Sequence, residues 1–258
     1  MRSSRKGVLR GAALKALAVL TFTSALAAQN TPARVKAFSR LPDWSGMWVA
    51  DNIEAEVSGH FADGDKEFLK LKFAGHPPYN AAWEADYQKR LKASASAATK
   101  GCVIDFPATM ESPQPFALIA SPEETVYTGA DGTYRHIYTD GRRHPADLWP
   151  TITGHSIGHW EDQTLVVDTV ARTTGPDRFL GMASYSKKAR FTERIRMTGK
   201  DALEDRMTIE DPVAFTRPWT VTLGFHRVTY IDRFDPYYCE LDKRIDIKDG
   251  KEVIRPAE

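Results

Sequence analysis

Between Phe116 and Phe225 the chain leaves little room for long helices, because short runs of β-forming residues alternate with turn residues. FALIAS and ETVYTGA lead into an Asp131-Gly132 turn, TYRHIYT leads into an Asp140-Gly141 turn, and this order predicts a β-meander. A two-residue turn at Asp131-Gly132 sets Val126 opposite Ile137 and Thr128 opposite Arg135, so Arg135 shares a face with aliphatic residues.

Two further hairpins carry most of the polar chemistry. In GHSIGHWEDQTLVVDT a turn at Asp162-Gln163 pairs Glu161 with Thr164, Trp160 with Leu165, His159 with Val166, Gly158 with Val167, Ile157 with Asp168 and Ser156 with Thr169. His155, Ile157, His159, Val166 and Asp168 then share a face, and His155 becomes a diagonal neighbour of Asp168. In Arg190–Glu210, charge selects the register. A three-residue loop Gly199-Lys200-Asp201 matches Arg196 with Glu204 and Arg190 with Glu210 on one face. On the other face it matches Met197 with Leu203, Ile195 with Asp205, Glu193 with Met207 and Phe191 with Ile209. Glu193 and Asp205 are thereby left on an otherwise apolar face, where burial without partners costs several kcal/mol. A last strand sets Arg217, Trp219, Val221, Leu223 and Phe225 on one side.

The expected fold class is mainly β: a single antiparallel barrel, calycin- or lipocalin-like, with one surface helix. Gly46-Met47-Trp48 looks like the G-x-W triplet that opens lipocalins. The helix is expected over Asn80–Ala98, with an Asn cap, Glu84 followed by Gln88, and a docking stripe of Trp83, Tyr87 and Leu91. Residues 51–79 read as an irregular excursion or a short hairpin, and the tail after Cys239 as a short edge hairpin or loose end.

Arg2, Arg5, Lys6, Arg10 and Lys15, an apolar run Ala16–Leu26 and an Ala25-Leu26-Ala27 site read as a signal peptide over residues 1–27, leaving residues 28–258 as one domain that is periplasmic or secreted. No stretch reaches the roughly 18 apolar residues of a transmembrane helix. The whole chain has 35 basic and 34 acidic residues, and losing the five basic residues of the leader leaves 30 against 34, a balance of −4. Such a chain is a poor ligand for nucleic acid. The two cysteines, Cys102 and Cys239, are expected to pair in an oxidising compartment, two buried free thiols being the alternative.

YTDGRRHP, GHSIGHWEDQTLVVDT, ERIR and IEDPVAFTRPWT, following a PDWSGMW segment, resemble in kind and order the signature blocks of a family of secreted, largely uncharacterised proteins of Gram-negative bacteria. The resemblance spans about residues 41–240. Asp162-Gln163 departs from it, standing where the family has Gly-Asp. The resemblance implies a calycin-like barrel and kinship with exported cofactor-free lyases, decarboxylases among them, that act on lignin-derived phenolics.

For the site, the inward polar candidates are His155, Asp168, Glu193 and Asp205 as acid/base groups, with Arg135, Tyr138, Arg217 and Trp219 to hold a small aromatic or apolar substrate. An imidazole oriented by a carboxylate is a usual base, and a guanidinium holds a carboxylate bidentately. The structural alternative is a set of ion pairs, Glu193 with Arg217 or Asp205 with Arg135. A metal reading would use His155-x3-His159 with His144 and Asp168, without the HExxH glutamate. GHSIG resembles G-x-S-x-G, but here the serine precedes a strand rather than a strand-to-helix elbow. No phosphate loop or dinucleotide fingerprint is present, so no cofactor is implied. A non-catalytic periplasmic binding protein is the alternative to the lyase, and the oligomeric state is not legible in the sequence.

Overall fold

Nine strands, each hydrogen-bonded to the next along the chain, close into a barrel: β1 (Met47–Ala50), β2 (Phe116–Ala120), β3 (Glu124–Gly129), β4 (Tyr134–Tyr138), β5 (His155–Glu161), β6 (Thr164–Val170), β7 (Arg190–Gly199), β8 (Ala202–Glu210) and β9 (Trp219–Val228), with β9 returning to β1. Closure leaves the barrel without free edges. The computed structural model describes residues 31–51, 76–94, 106, 115–129, 132–173, 183–229, 245–248 and 251–254. The expected leader 1–27, most of the 51–79 excursion and both Cys102 and Cys239 lie outside these residues. Helix α1 (Pro32–Phe38) precedes the barrel, helix α2 (Ala81–Ser94) follows β1, and strands β10 (Ile245–Lys248) and β11 (Lys251–Ile254) form a separate hairpin.

The barrel is mixed, which corrects the antiparallel expectation. β4 and β5 run parallel, with Ile137 opposite Ser156 and Tyr138 opposite Ile157. A parallel pair needs a long crossover. Residues 139–154 provide it, and Asp140-Gly141, with Gly141 at φ 86°, opens that crossover instead of closing a hairpin.

The β3–β4 register is shifted by one residue from expectation. Val126 faces His136, Tyr127 faces Arg135 and Thr125 faces Ile137. The Gly129 N–H donates to Thr133 O at 2.9 Å and Gly132 sits at φ 81°, so the turn is longer than two residues. The other two hairpins hold the expected cross-strand pairs, including Ile157 with Asp168 and Ile195 with Asp205. The second does not close on the expected three-residue loop: after an irregularity between Met197 and Gly199, Gly199 pairs with Ala202 and the turn is Lys200-Asp201. The first turns on Asp162, whose φ of 53° is unusual for a residue with a side chain.

Trp48, Phe116, Tyr127, Ile137, Leu165, Val167, Phe191, Ile195, Met207 and Phe225 fill the interior. Trp219, Val221 and Leu223 join them. In α2, Asn80 caps the first turn by accepting from Trp83 N at 3.2 Å, and buried Tyr87 packs 5.4 Å from Tyr79. The last residues of the expected helix, 95–98, are not among those described.

Gly154, which leads into β5, adopts φ 68°, and a Cβ there would lie 2.7 Å from the Val170 carbonyl oxygen and 2.9 Å from Thr169 Cγ2. Gly154→Ala therefore combines left-handed strain with a backbone clash. It should lower stability by about 2–4 kcal/mol, seen as a lower midpoint in urea or thermal unfolding. An unchanged midpoint would contradict the backbone geometry.

Candidate functional site

The β5–β6 register is the expected one, but its faces are reversed relative to the expected site. Ser156 and Thr169 point into the barrel and are buried, whereas His155 and Asp168 lie on the outer surface. The predicted acid/base residues therefore fall into two groups on opposite sides of one sheet.

Inside, Arg135, Glu193 and Asp205 converge. The Arg135 guanidinium donates from Nη1 to Glu193 Oε1 at 2.9 Å and from Nη2 to Glu193 Oε2. Nη2 also reaches Thr169 Oγ1 at 2.8 Å, and Nε donates to Ser156 Oγ at 3.1 Å. The Phe106 ring lies over the guanidinium, 3.7 Å from its carbon. The ion pair is thus Arg135–Glu193, neither of the two combinations anticipated. Ser156 and Thr169 were not expected in this cluster, although their cross-strand pairing was.

Asp205 is 0 % exposed, and neither of its carboxyl oxygens has a hydrogen-bond donor among the described residues. Burial pushes its pKa well above the ordinary carboxylate range, and the Glu193 charge adds to the shift while Arg135 opposes it. Burial and the neighbouring Glu193 charge thus favour the protonated form of Asp205. Arg135 and Glu193 then neutralise one another and the third group carries no charge. The cluster is sealed among the described residues, with Arg135 at 2 % and Glu193 at 0 % exposure.

The outer group is half-buried and open to solvent. Asp168 accepts from Arg190 Nε at 2.7 Å and also from Arg190 Nη2. On its other side His144 Nε2 lies 3.2 Å from Asp168 Oδ2, and His144 Nδ1 lies 2.7 Å from His155 Nδ1. With both rings neutral, hydrogen-bond parity fixes every proton. Asp168 only accepts, so His144 carries its proton on Nε2. His144 Nδ1 is then a lone pair, His155 must donate from Nδ1, and His155 Nε2 is left as the unprotonated nitrogen. Burial lowers the His155 pKa below the usual imidazole value, and the neighbouring His144 and Arg142 lower it further. His155 is therefore a neutral base near pH 7.

Tyr138 sits beside this base, its ring 5.6 Å from that of His155 and covered on one side by the Arg142 guanidinium at 3.7 Å. Arg142 is held by Asp140, with Nε 2.9 Å from both carboxylate oxygens. His144 and Arg142 both come from the 139–154 crossover, whose placement over β5 was invisible while Asp140-Gly141 read as a hairpin turn.

The other predicted contacts are placed elsewhere. Trp219 is a core residue, packed at 6.0 Å against Phe215. Arg217 precedes β9 and is exposed, because the chain bends at Arg217-Pro218 before the strand begins. His159 bonds to Glu161 at 3.2 Å and lies about 13 Å along the strand from His155. His144 turns opposite nitrogens to Asp168 and His155. These four side chains do not converge on one ion.

A proton on buried Asp205 has a measurable consequence. A group whose folded pKa is raised contributes stability that is complete below its unfolded pKa, near 4, and that is lost as pH rises toward the folded pKa. Asp205→Asn keeps the shape of the side chain and removes its titration. It should stabilise the protein by about 1–3 kcal/mol above neutral pH and flatten the decline in melting temperature between pH 5 and 9. A variant that melts with the wild-type pH profile would show that Asp205 holds no proton.

Comparison with protein-family models, curated proteins and solved structures finds no match. The chemistry of this protein is therefore read from its own side chains.

Proposed function

We propose that this is an exported, cofactor-independent lyase of calycin-like fold that works by acid/base chemistry on a small aromatic compound, with His155 as the base. The Asp168–His144–His155 relay carries this reading. Its carboxylate orients one imidazole and, through it, a second, and the chain of donors ends in a free, neutral nitrogen at a half-exposed site. The basic and apolar leader supports export, and the resemblance of the signature blocks supports a phenolic substrate.

A para-hydroxylated aromatic supplies its own electron sink, so the reaction needs no bound group. His155 Nε2 takes the phenolic proton. The bond to a leaving group on the benzylic carbon breaks and its electron pair departs with that group, which leaves a quinone methide. Loss of carbon dioxide from a neighbouring carboxylate, or of a proton from the neighbouring carbon to the departed anion, then supplies the pair that forms the alkene and restores the phenolate. The imidazolium returns its proton to that oxygen. A base placed within hydrogen-bond reach typically contributes 10²–10⁴-fold, and His144 with Asp168 steady the imidazolium while it exists.

His155→Ala should lower turnover of para-hydroxyaryl substrates by about 10²-fold or more, with the fold retained. The wild-type rate should rise with pH through a limb below the usual imidazole pKa, because only neutral His155 accepts a proton. Nitrogen-15 NMR should find His155 protonated on Nδ1 at pH 7, and His144→Ala should erase that preference. If a panel of phenolic compounds shifts the melting temperature and none is transformed, the protein is a binding protein and the lyase reading is wrong.

A further inference from the structure

Next to the relay, residues 186–190 and 210–218 enclose a cleft of about 450 Å³ whose walls include Lys188, Arg190, Glu210, Phe215, Arg217 and Pro218. We propose that this cleft binds the carboxylate end of an extended aromatic acid whose other end lies at His155. The proposal rests on the acid/base reading of that relay and names the substrate class that fits it.

The cleft is built before any ligand arrives. Asp211 is buried and accepts four hydrogen bonds, two of which tie it to Ser186 and so join the two walls. Its Oδ2 accepts from Ser186 N at 2.6 Å, and its Oδ1 accepts from Ser186 Oγ at 2.7 Å, Val213 N at 3.0 Å and Ala214 N at 3.1 Å. Thr216 is tied to Pro78 O through its backbone N–H at 2.8 Å and its hydroxyl at 3.0 Å. The Phe215 ring is braced by Tyr79 at 5.3 Å, Tyr185 at 6.2 Å and Trp219 at 6.0 Å, so it cannot turn away. The exposed rings of Pro212 and Pro218, backed by the buried Phe215, give the cleft an apolar side that suits a flat apolar ligand, and prior ordering spares the cost of fixing the walls on binding.

Charge decides which end of the ligand enters. Arg190 is engaged by Asp168, but Arg217 has one hydrogen bond among the described residues, to Pro218 O at 3.5 Å, and Lys188 has no ion pair there. Among the described residues, then, two cations without a carboxylate partner line the cleft. Glu210 lines it too, opposite Arg190 in the β7–β8 register. A carboxylate on the Arg217 and Lys188 side satisfies those cations, whereas inorganic phosphate, drawn by the same charges, lacks the aromatic body that the rest of the cleft would hold.

The registers also set the ligand's length. His155 pairs with Val170, and the Thr169–Phe191 pairing brings Val170 beside Arg190. The cleft thus begins two strand spacings from His155, roughly 10 Å across the outer face. A ligand that reaches both ends must carry its acidic proton and its carboxylate at opposite ends. The anchored carboxylate is a handle, and binding energy at a remote group can be spent on placing the reacting end.

Calorimetric titration of the full protein with para-hydroxybiphenyl carboxylate, its methyl ester and inorganic phosphate tests the proposal. The acid should bind more tightly than the ester by about tenfold, and phosphate should not compete. Arg217→Ala with Lys188→Ala should abolish the advantage of the acid and leave the ester unchanged. Both residues are on the surface, and a preserved melting temperature would show that the fold is intact. Benzoate, too short to reach the relay, should bind His155→Ala as it binds wild type. Equal affinity for acid and ester, an acid advantage that survives the double variant, or competition by phosphate would overturn the carboxylate site. Binding of the acid with no turnover of any phenolic would overturn the lyase and leave the cleft standing. Turnover indifferent to Arg217 and Lys188 would overturn the cleft and leave the relay.

Discussion

The Arg135 guanidinium ties four successive strands together. It stands on β4, donates to Ser156 on β5 and Thr169 on β6, and forks onto Glu193 on β7. It crosses the barrel where the ladder is thin, since β4 and β5 share two paired positions against eight between β8 and β9. Losing one partner of a buried ion pair typically costs 3–5 kcal/mol because the other charge is stranded. Here Glu193 would be stranded beside Asp205, in a barrel whose parallel seam has little backbone pairing of its own. The proton on Asp205 belongs to the same balance, because a second buried carboxylate would leave one guanidinium facing two negative charges.

The parallel seam is also what creates the outer relay. An antiparallel β4–β5 hairpin would turn tightly at Asp140-Gly141 and leave no chain to cover the sheet. The crossover instead runs back over β5, with Arg34 Nη2 donating to the Asp140 carbonyl at 3.0 Å, and delivers Arg142 and His144 to His155 and Asp168. The side chains that form the base are thus drawn from β5, β6, β7 and the crossover, and they meet only in the closed barrel.

Much of this was legible in the sequence, and the failures have physical causes. The register of the Arg190–Glu210 hairpin could be read because cross-strand charge pairs and a period of two leave little freedom, and that of β5–β6 because the turn at Asp162-Gln163 fixes it. Which face turns inward was harder to read in β6, because Val166 and Val167 make both faces apolar. The neighbouring strand held the answer: Glu193 shares a face with Phe191 and Ile195, and the barrel pairs Val167, not Val166, with Glu193. That pairing is long-range, and no local pattern states it. Arg217 was misplaced for a different reason. The alternation Arg217, Trp219, Val221 suggests one face, but Pro218 has no N–H for a ladder and the strand begins after it. The parallel seam left no local signature, since a turn dipeptide reads alike at the start of a hairpin and of a crossover.

The separation of the two polar groups argues for a division of labour. Burying charge is costly, and an apolar replacement of similar volume is often as stable. The interior trio meets that cost with near-complete hydrogen bonding around Arg135, as a structural clamp must, and its closure among the described residues leaves no approach for a substrate. Outside, solvent lowers the cost of each charge, so Asp168 can hold an arginine and a histidine without full burial. His155, one residue from Ser156 in the chain, is only half-buried. That is enough desolvation to keep it neutral and too little to close it off. Adjacent residues on one strand thus belong to a sealed ion-pair cluster and to an accessible imidazole pair, because alternate side chains of a barrel wall meet different dielectrics.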